Sequence, residues 1–174
     1  MAETKLNIGC GRKVMEGYVN IDKVPLEGVD VVWDLEKTPL PFEDNSVDEI
    51  LCEHILEHIQ NFMPLLEEFH RICKPNASII VSAPYYRYEG SFRDPTHVRF
   101  FTEHSFDYFK DGMTFCHYSH IRFNVKKVEL KNHFFSGVKN THKKIIKYVP
   151  FKKFLNMFFW NIYSEINYSL EVSK

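Results

Sequence analysis

Along the first hundred residues, short apolar runs alternate with polar turns, and each run stops at glycines or at a residue with chemistry in its side chain. Lys5-Leu-Asn-Ile8 ends in Gly9-Cys10-Gly11, the mark of a buried strand breaking into a tight turn. Tyr18-Val-Asn-Ile-Asp22 and Val29-Asp-Val-Val-Trp-Asp34 alternate, and each ends at an aspartate. After a loop with Pro39 and Pro41, Val47-Asp-Glu-Ile-Leu-Cys52 predicts a fourth strand, with Glu53 and His54 at its carboxyl end. Leu65, Leu66, Phe69, Ile72 and Cys73 fall at helical spacing, with Pro64 near the helix start and Pro75 just beyond its end. Ser78-Ile-Ile-Val-Ser-Ala83 predicts a fifth strand closed by Pro84. A long polar-aromatic loop follows, then a strand over Ile121 to Leu130, a basic and aromatic helical stretch near 143–161, and a segment from Ile162 to Val172. In that last segment Ile166, Tyr168, Leu170 and Val172 alternate as in a half-buried strand.

Strands alternating with helices or loops predict an α/β fold with a mainly parallel sheet. In such sheets ligands bind beyond the carboxyl ends of the strands, which is where Gly9 to Gly11, Asp22, Asp34, Glu53 and His54 fall. No repeat or low-complexity linker divides the chain. The expectation is therefore one domain over 1–174, with a core at 1–110 and C-terminal strands plus the basic, aromatic segment at 111–174.

Composition changes this picture little. The 174 residues are 44% hydrophobic and 26% charged, which fits a globular chain and argues against disorder. Cys10, Cys52, Cys73 and Cys116 form no C-x-x-C pair, and no signal-peptide pattern opens the sequence, so a reduced, cytoplasmic compartment is expected. Charge matters more. Residues 1–119 carry 11 Lys+Arg against 20 Asp+Glu, a balance of −9, whereas residues 120–174 carry 11 against 3, a balance of +8. The two regions can face different partners.

A glycine turn after the first strand lets backbone N–H groups approach a ligand, and an acid ending the second strand can accept both hydroxyls of a ribose. A dinucleotide site would want glycine at position 14, which is Val14, and the span from Gly11 to Asp22 is short for a helix plus a strand. A second pattern competes. His54-x-x-Glu57-His58 matches the H-x-x-E-H of one class of zinc peptidases. That site needs both histidines on a helix, but Val47 to Cys52 reads as strand and places His54 at its end. His58 is then expected to be a packing or surface histidine, and no metal ligand is assigned.

Leu6-Asn-Ile-Gly-Cys-Gly11, Asn20-Ile-Asp22, Asp34-Leu35, Pro41-Phe-Glu-Asp-Asn-Ser-Val-Asp48, Glu53-His54-Ile-Leu-Glu-His58 and Leu66-Glu-Glu-Phe-His-Arg-Ile-Cys-Lys-Pro75 together resemble class I S-adenosylmethionine-dependent methyltransferases. Order and spacing match over roughly residues 5–110. Asp94-Pro-Thr-His-Val-Arg-Phe-Phe-Thr102 is similar to a loop in a small branch of the type 11-like members of that family. The resemblance implies a Rossmann-like sheet with an antiparallel C-terminal strand, and S-adenosylmethionine as cofactor. It implies that Gly9, Cys10 and Gly11 hold the methionine part, with Asn7 beneath them where the family usually has an acid. Asp22 would take the ribose hydroxyls, Asp34 and Leu35 the adenine, and Glu53 the amino-acid part. With four residues before the first strand, the N-terminal helices that cover the cofactor in many relatives are not expected. The first crossover helix is expected to shrink to about one turn.

Methyl transfer needs positioning and one base, for which an ordinary histidine is suited. His54 and His97 are the candidates. Tyr85, Arg87, Asp94 and Arg99 are the candidate acceptor-binding residues, with Tyr86 beside them. The acceptor is expected to offer an oxygen, less readily a nitrogen, on a small molecule or glycan. Lys143, Lys144, Lys147, Lys152 and Lys153 interleave with Phe151, Phe154, Phe158 and Trp160, which suits an anionic or lipid-linked acceptor, or a position at a membrane surface. No nucleic-acid-binding motif is present. Two other classes stay open at this point: a non-catalytic module on the same fold, and a zinc hydrolase using the H-x-x-E-H motif.

Overall fold

The computed structural model describes residues 3–110, 112, 118–132 and 150–174. Residues 143–149 of the expected helical stretch near 143–161 lie outside these residues, and with them Lys143, Lys144 and Lys147, as does Cys116. Seven strands form one sheet: β1 (Lys5–Ile8), β2 (Val19–Asp22), β3 (Val31–Val32), β4 (Val47–Glu53), β5 (Cys73–Pro84), β6 (Arg122–Lys131) and β7 (Glu165–Ser173). Their order is β3-β2-β1-β4-β5-β7-β6. The first five are parallel, and β7 lies antiparallel between β5 and β6.

The strands at the centre are apolar on both faces. On β4 the consecutive residues Ile50, Leu51 and Cys52 are all buried, as expected for a parallel strand covered on each side. On β7 only Ile166, Tyr168, Leu170 and Val172 of the alternating set turn inward. α1 (Phe62–Ile72) buries Phe62, Leu65, Leu66, Phe69 and Ile72, one stripe at 3.6-residue spacing. Pro64 is tolerated because it falls in the first turn, where the backbone N–H would be unpaired. The Glu36 carboxylate accepts from the N–H groups of Gln60 and Asn61 at 2.8 and 2.9 Å, putting negative charge at the positive end of α1.

Two connections differ from the sequence expectation. Gly11 to Tyr18 forms turns and contains no helix, so the first crossover is shorter than the one turn expected. Side-chain amides replace it. The Asn7 amide donates to the Lys13 carbonyl and the Asn20 side chain, and Asn20 in turn holds Met15, Tyr18 and Asp30. The loop after β5 is not a solvated connection either. Tyr85, Phe101, Phe106 and Phe109 are all buried, Tyr85 pairs with Phe101 as a short bridge, and the Phe106 and Tyr168 rings meet edge to face at 4.7 Å. This loop carries α2 (Gly90–Arg93), and the C-terminal region carries α3 (Lys152–Asn156). No helix among the described residues is long and apolar enough to cross a membrane.

Candidate functional site

The carboxyl ends of β1, β2 and β4 build the first part of the site. Gly9 and Gly11 have φ of +66° and +51°, the left-handed region that favours glycine. Their requirements differ. A Cβ on Gly9 would stand 2.4 Å from Cγ1 of Ile55, whereas one on Gly11 would meet nothing within 4 Å. Gly9 is small for packing; Gly11 leaves open space. The Asp22 carboxylate accepts from the Gly11 N–H at 2.8 Å and from the Val24 N–H at 2.9 Å, so β2 holds the turn that follows β1. Each oxygen keeps a lone pair that a pair of hydroxyls could use.

Asp22, Asp34, Leu35, Trp33 and Ile55 line a slot of about 100 Å³ that also touches Gly9 and His58. Its size lets it hold one face of a flat ring rather than enclose a whole nucleoside. Asp34 accepts from the Glu36 N–H through one oxygen, which leaves the other toward its neighbour Lys37 at 4.0 Å. Cys10 is buried, and Asn7 is 3% exposed with its amide committed to Lys13 and Asn20. Asn7 thus braces the turn from beneath.

A second cavity of about 1070 Å³ opens beside the slot, beyond the ends of β4 and β5 and the start of β7. Glu53, His54, Glu57, His58, Asp94 and His97 line it, and His58 belongs to both spaces. His54 follows β4 at φ +53°, an uncommon conformation for a non-glycine residue. Its Nε2 lies 3.1 Å from Glu165 and its Nδ1 3.4 Å from Glu57. Hydrogen bonds to the Glu165 and then the Glu57 carboxylate raise the His54 pKa to about 9 against the opposing effect of burial. At neutral pH His54 therefore carries its proton, which differs from the unperturbed base of the sequence expectation.

The loop after α2 closes the cavity. Backbone N–H groups of Val98 and Arg99 donate to the Glu57 carbonyl at 2.9 and 3.2 Å. The Arg99 guanidinium donates to the carbonyls of Ile59 and Gln60 at 3.0 and 2.8 Å, and lies 4.6 Å from the centre of the Phe62 ring. These contacts set the His97 ring against His58, with centroids 4.8 Å apart.

Of the candidate acceptor residues, the cavity takes Asp94 and not Tyr85, Arg87 or Arg99. Tyr85 is 1% exposed, and its hydroxyl bonds to Glu103 and Asn156. Arg87 donates to the Tyr86 hydroxyl and to the Asn156 carbonyl. Arg99 docks the loop. All three are polar residues spent on packing the loop, a use that leaves no signature in sequence. Tyr88, Arg93, Lys131 and Glu165 line the cavity without having been anticipated, because strand β7 and the loop reach it from far along the chain. Glu57 and His58 were visible as part of H-x-x-E-H, but Leu56–His58 is a 3-10 turn and not the helix that motif needs.

Strand order, glycine turn and the acid ending β2 are those of the class I methyltransferase fold. Residues 16–81 match the family model described as a methyltransferase domain. An S-adenosylmethionine-dependent methyltransferase from Archaeoglobus fulgidus superposes with a TM-score of 0.66 at 18% identity, covering 98% of this chain and 86% of that one. A chain in the complex of the Haloferax volcanii Trm112 methyltransferase activator gives 0.63 at 14% identity, covering 99% and 84%. An uncharacterized protein of Methanocaldococcus jannaschii is 45% identical over 42 residues, 24% of this chain and 18% of that protein. Together these findings show the class I methyltransferase fold, with residues 16–81 matching the methyltransferase-domain model.

Proposed function

We propose that this chain transfers the methyl group of S-adenosylmethionine to an oxygen, in preference to a nitrogen, of a small-molecule or glycan-type acceptor. The observation that carries the reading is the pairing of spaces: a ring-sized slot at Asp22, Asp34 and Gly9 shares His58 with a large cavity lined by Glu53 and several other titratable side chains. Asp22 would accept the ribose hydroxyls, Asp34 and Leu35 would contact the adenine, and Gly11 would let the methionine part lie against bare backbone. Glu53 and the acidic balance of the first 119 residues suit a cofactor that is positively charged.

S-adenosylmethionine supplies a methyl carbon already activated by its sulfonium. What the chain must add is orientation and a destination for the acceptor proton. The Ser91 carbonyl can only accept, so the His97 Nδ1 held 2.8 Å from it carries hydrogen. That leaves the His97 Nε2 lone pair as the proton acceptor, whereas His54 is already protonated and serves as a positive group at the cavity mouth. A base of this kind is needed for a hydroxyl and not for a neutral amine, which favours oxygen.

On one side the cavity wall continues into exposed aromatic rings. Phe92 stacks on Phe100 at 4.4 Å and approaches Trp160 at 5.9 Å, and Phe154, Phe158 and Lys153 lie exposed or nearly so on the same C-terminal segment. This supports an acceptor with an apolar, lipid-linked portion and an anionic group. The reading is tested by incubating the protein with tritiated methyl-labelled cofactor and lipid-linked or free saccharides. Label that survives mild base on a saccharide without amino or amide groups, and that requires Asp22, marks an ether and agrees with the proposal; no transfer and no release of S-adenosylhomocysteine with any hydroxyl acceptor contradicts it.

A further inference from the structure

Glu57, His58 and His97 meet on one wall of the large cavity, and methyl transfer by itself does not explain why. One oxygen or ring nitrogen from each lies within 4.8 Å of the other two. Glu57 is 1% exposed, yet its Oε2 has no hydrogen-bond partner among the described residues. Such an orphan oxygen is costly to bury unless something positive binds it.

The histidine tautomers point the same way. His97 Nδ1 donates to the Ser91 carbonyl, as above. Thr96 spends its only hydroxyl hydrogen on Asp94, 2.6 Å away, so its oxygen must accept from His58 Nδ1 at 2.8 Å. In both rings Nδ1 is thus held by a hydrogen bond to an oxygen, which leaves Nε2 as the nitrogen available to a ligand. That second layer is the usual support of metal-binding histidines. Two imidazoles and one carboxylate suit first-row divalent ions, and three protein ligands leave positions open for another molecule.

We propose that Glu57, His58 and His97 bind one divalent metal ion of the zinc class, with its open coordination positions facing the cavity. Ligand atoms around tetrahedral zinc stand about 3.4 Å apart, so modest rotation of the two rings closes the present spacing. The H-x-x-E-H motif is thereby used differently from a helical peptidase site: His54 is diverted to Glu165, and His97 supplies the third ligand from a loop about forty residues on. Resting on the methyltransferase reading, the ion would take an acceptor hydroxyl as its next ligand and acidify it, its proton passing to water in the open cavity, and His97 would then hold the ion instead of taking the proton.

The test uses the full chain after chelator treatment and dialysis. Zinc chloride is titrated by calorimetry, bound zinc is counted after gel filtration, and cobalt substitution is followed by visible absorption. The expected result is one zinc per chain, weakened at least about tenfold by each of Glu57→Gln, His58→Asn and His97→Asn. His104→Asn, an exposed histidine elsewhere on the loop, should leave binding unchanged. Near-ultraviolet circular dichroism and S-adenosylhomocysteine affinity, measured on the same samples, report folding independently of the metal. Absence of zinc binding at about 100 μM, or binding that persists in both folded histidine variants, overturns the metal site. Zinc binding lost in the three variants, in a protein that never binds S-adenosylhomocysteine, supports the metal site and removes the methyltransferase reading alone.

Discussion

Alanine at Gly9 and alanine at Gly11 alter the same turn by different routes, and the structure separates their consequences. Both positions hold a left-handed φ, which costs an L-residue about 1–2 kcal/mol. At Gly9 the new methyl also lands 2.4 Å from Ile55 Cγ1 and 2.8 Å from its Cβ, so the neighbour cannot escape by rotation alone. Overpacking of that kind adds about 1–3 kcal/mol, for a total near 2–5 kcal/mol at Gly9. Gly11 should show only the backbone cost, because open space surrounds its Cα. For a chain of this length the melting temperature falls by about 2–4 °C per kcal/mol, so Gly9→Ala should lose several degrees more than Gly11→Ala. Binding should rank the other way per unit of lost stability. Gly11→Ala places its methyl where the cofactor would lie against the backbone, so the folded variant should lose at least about tenfold in S-adenosylhomocysteine affinity. Thermal melts and calorimetry on the two variants decide it. Equal destabilisation, or a Gly11→Ala protein with unchanged affinity, would refute the division of labour.

Arg99→Ala should cost about 1–3 kcal/mol by leaving the Ile59 and Gln60 carbonyls unpaired, and should speed proteolysis of the 94–102 loop without changing S-adenosylhomocysteine affinity. Asn20→Ala removes the amide that holds Met15, Tyr18 and Asp30, and should lower stability and cofactor affinity together in denaturant melts and calorimetry. Burial pushes the Cys73 thiol up to about 12 and the Cys52 thiol well above its usual range. At pH 8 the Cys73 thiolate fraction is then on the order of one in ten thousand, so iodoacetamide should label neither cysteine until denaturant is added. Rapid native labelling of either, read by mass spectrometry, would contradict the packing described.

Much of the fold was legible because its signals are local. The apolar run Leu6 to Ile8 and the alternation of Ile166 to Val172 set strands without reference to the rest of the chain. β3 shrank from the expected six residues to two because it lies at the sheet edge, where alternation does not require pairing. The aromatic loop hid its core role, since Tyr85, Phe101 and Phe106 follow no period and become a cluster only when folded against β7. The same division holds in the site. Gly9, Gly11, Asp22 and Asp34 fall at strand ends and were readable, whereas the meeting of Glu57 and His58 with His97 depends on Arg99 docking a distant loop. Tyr85 and Arg87 pack the loop and do not line the cavity, and a polar side chain that packs a loop looks in sequence like one that binds a ligand.

The central claim is that Asp22 and the glycine turn form a cofactor site, and titration of S-adenosylhomocysteine into chelator-treated protein tests it most directly. The account predicts saturable binding of one ligand per chain, abolished by Asp22→Ala and weakened by Asp22→Asn, with both variants still folded by circular dichroism. Binding that persists undiminished in the folded Asp22→Ala protein would contradict it.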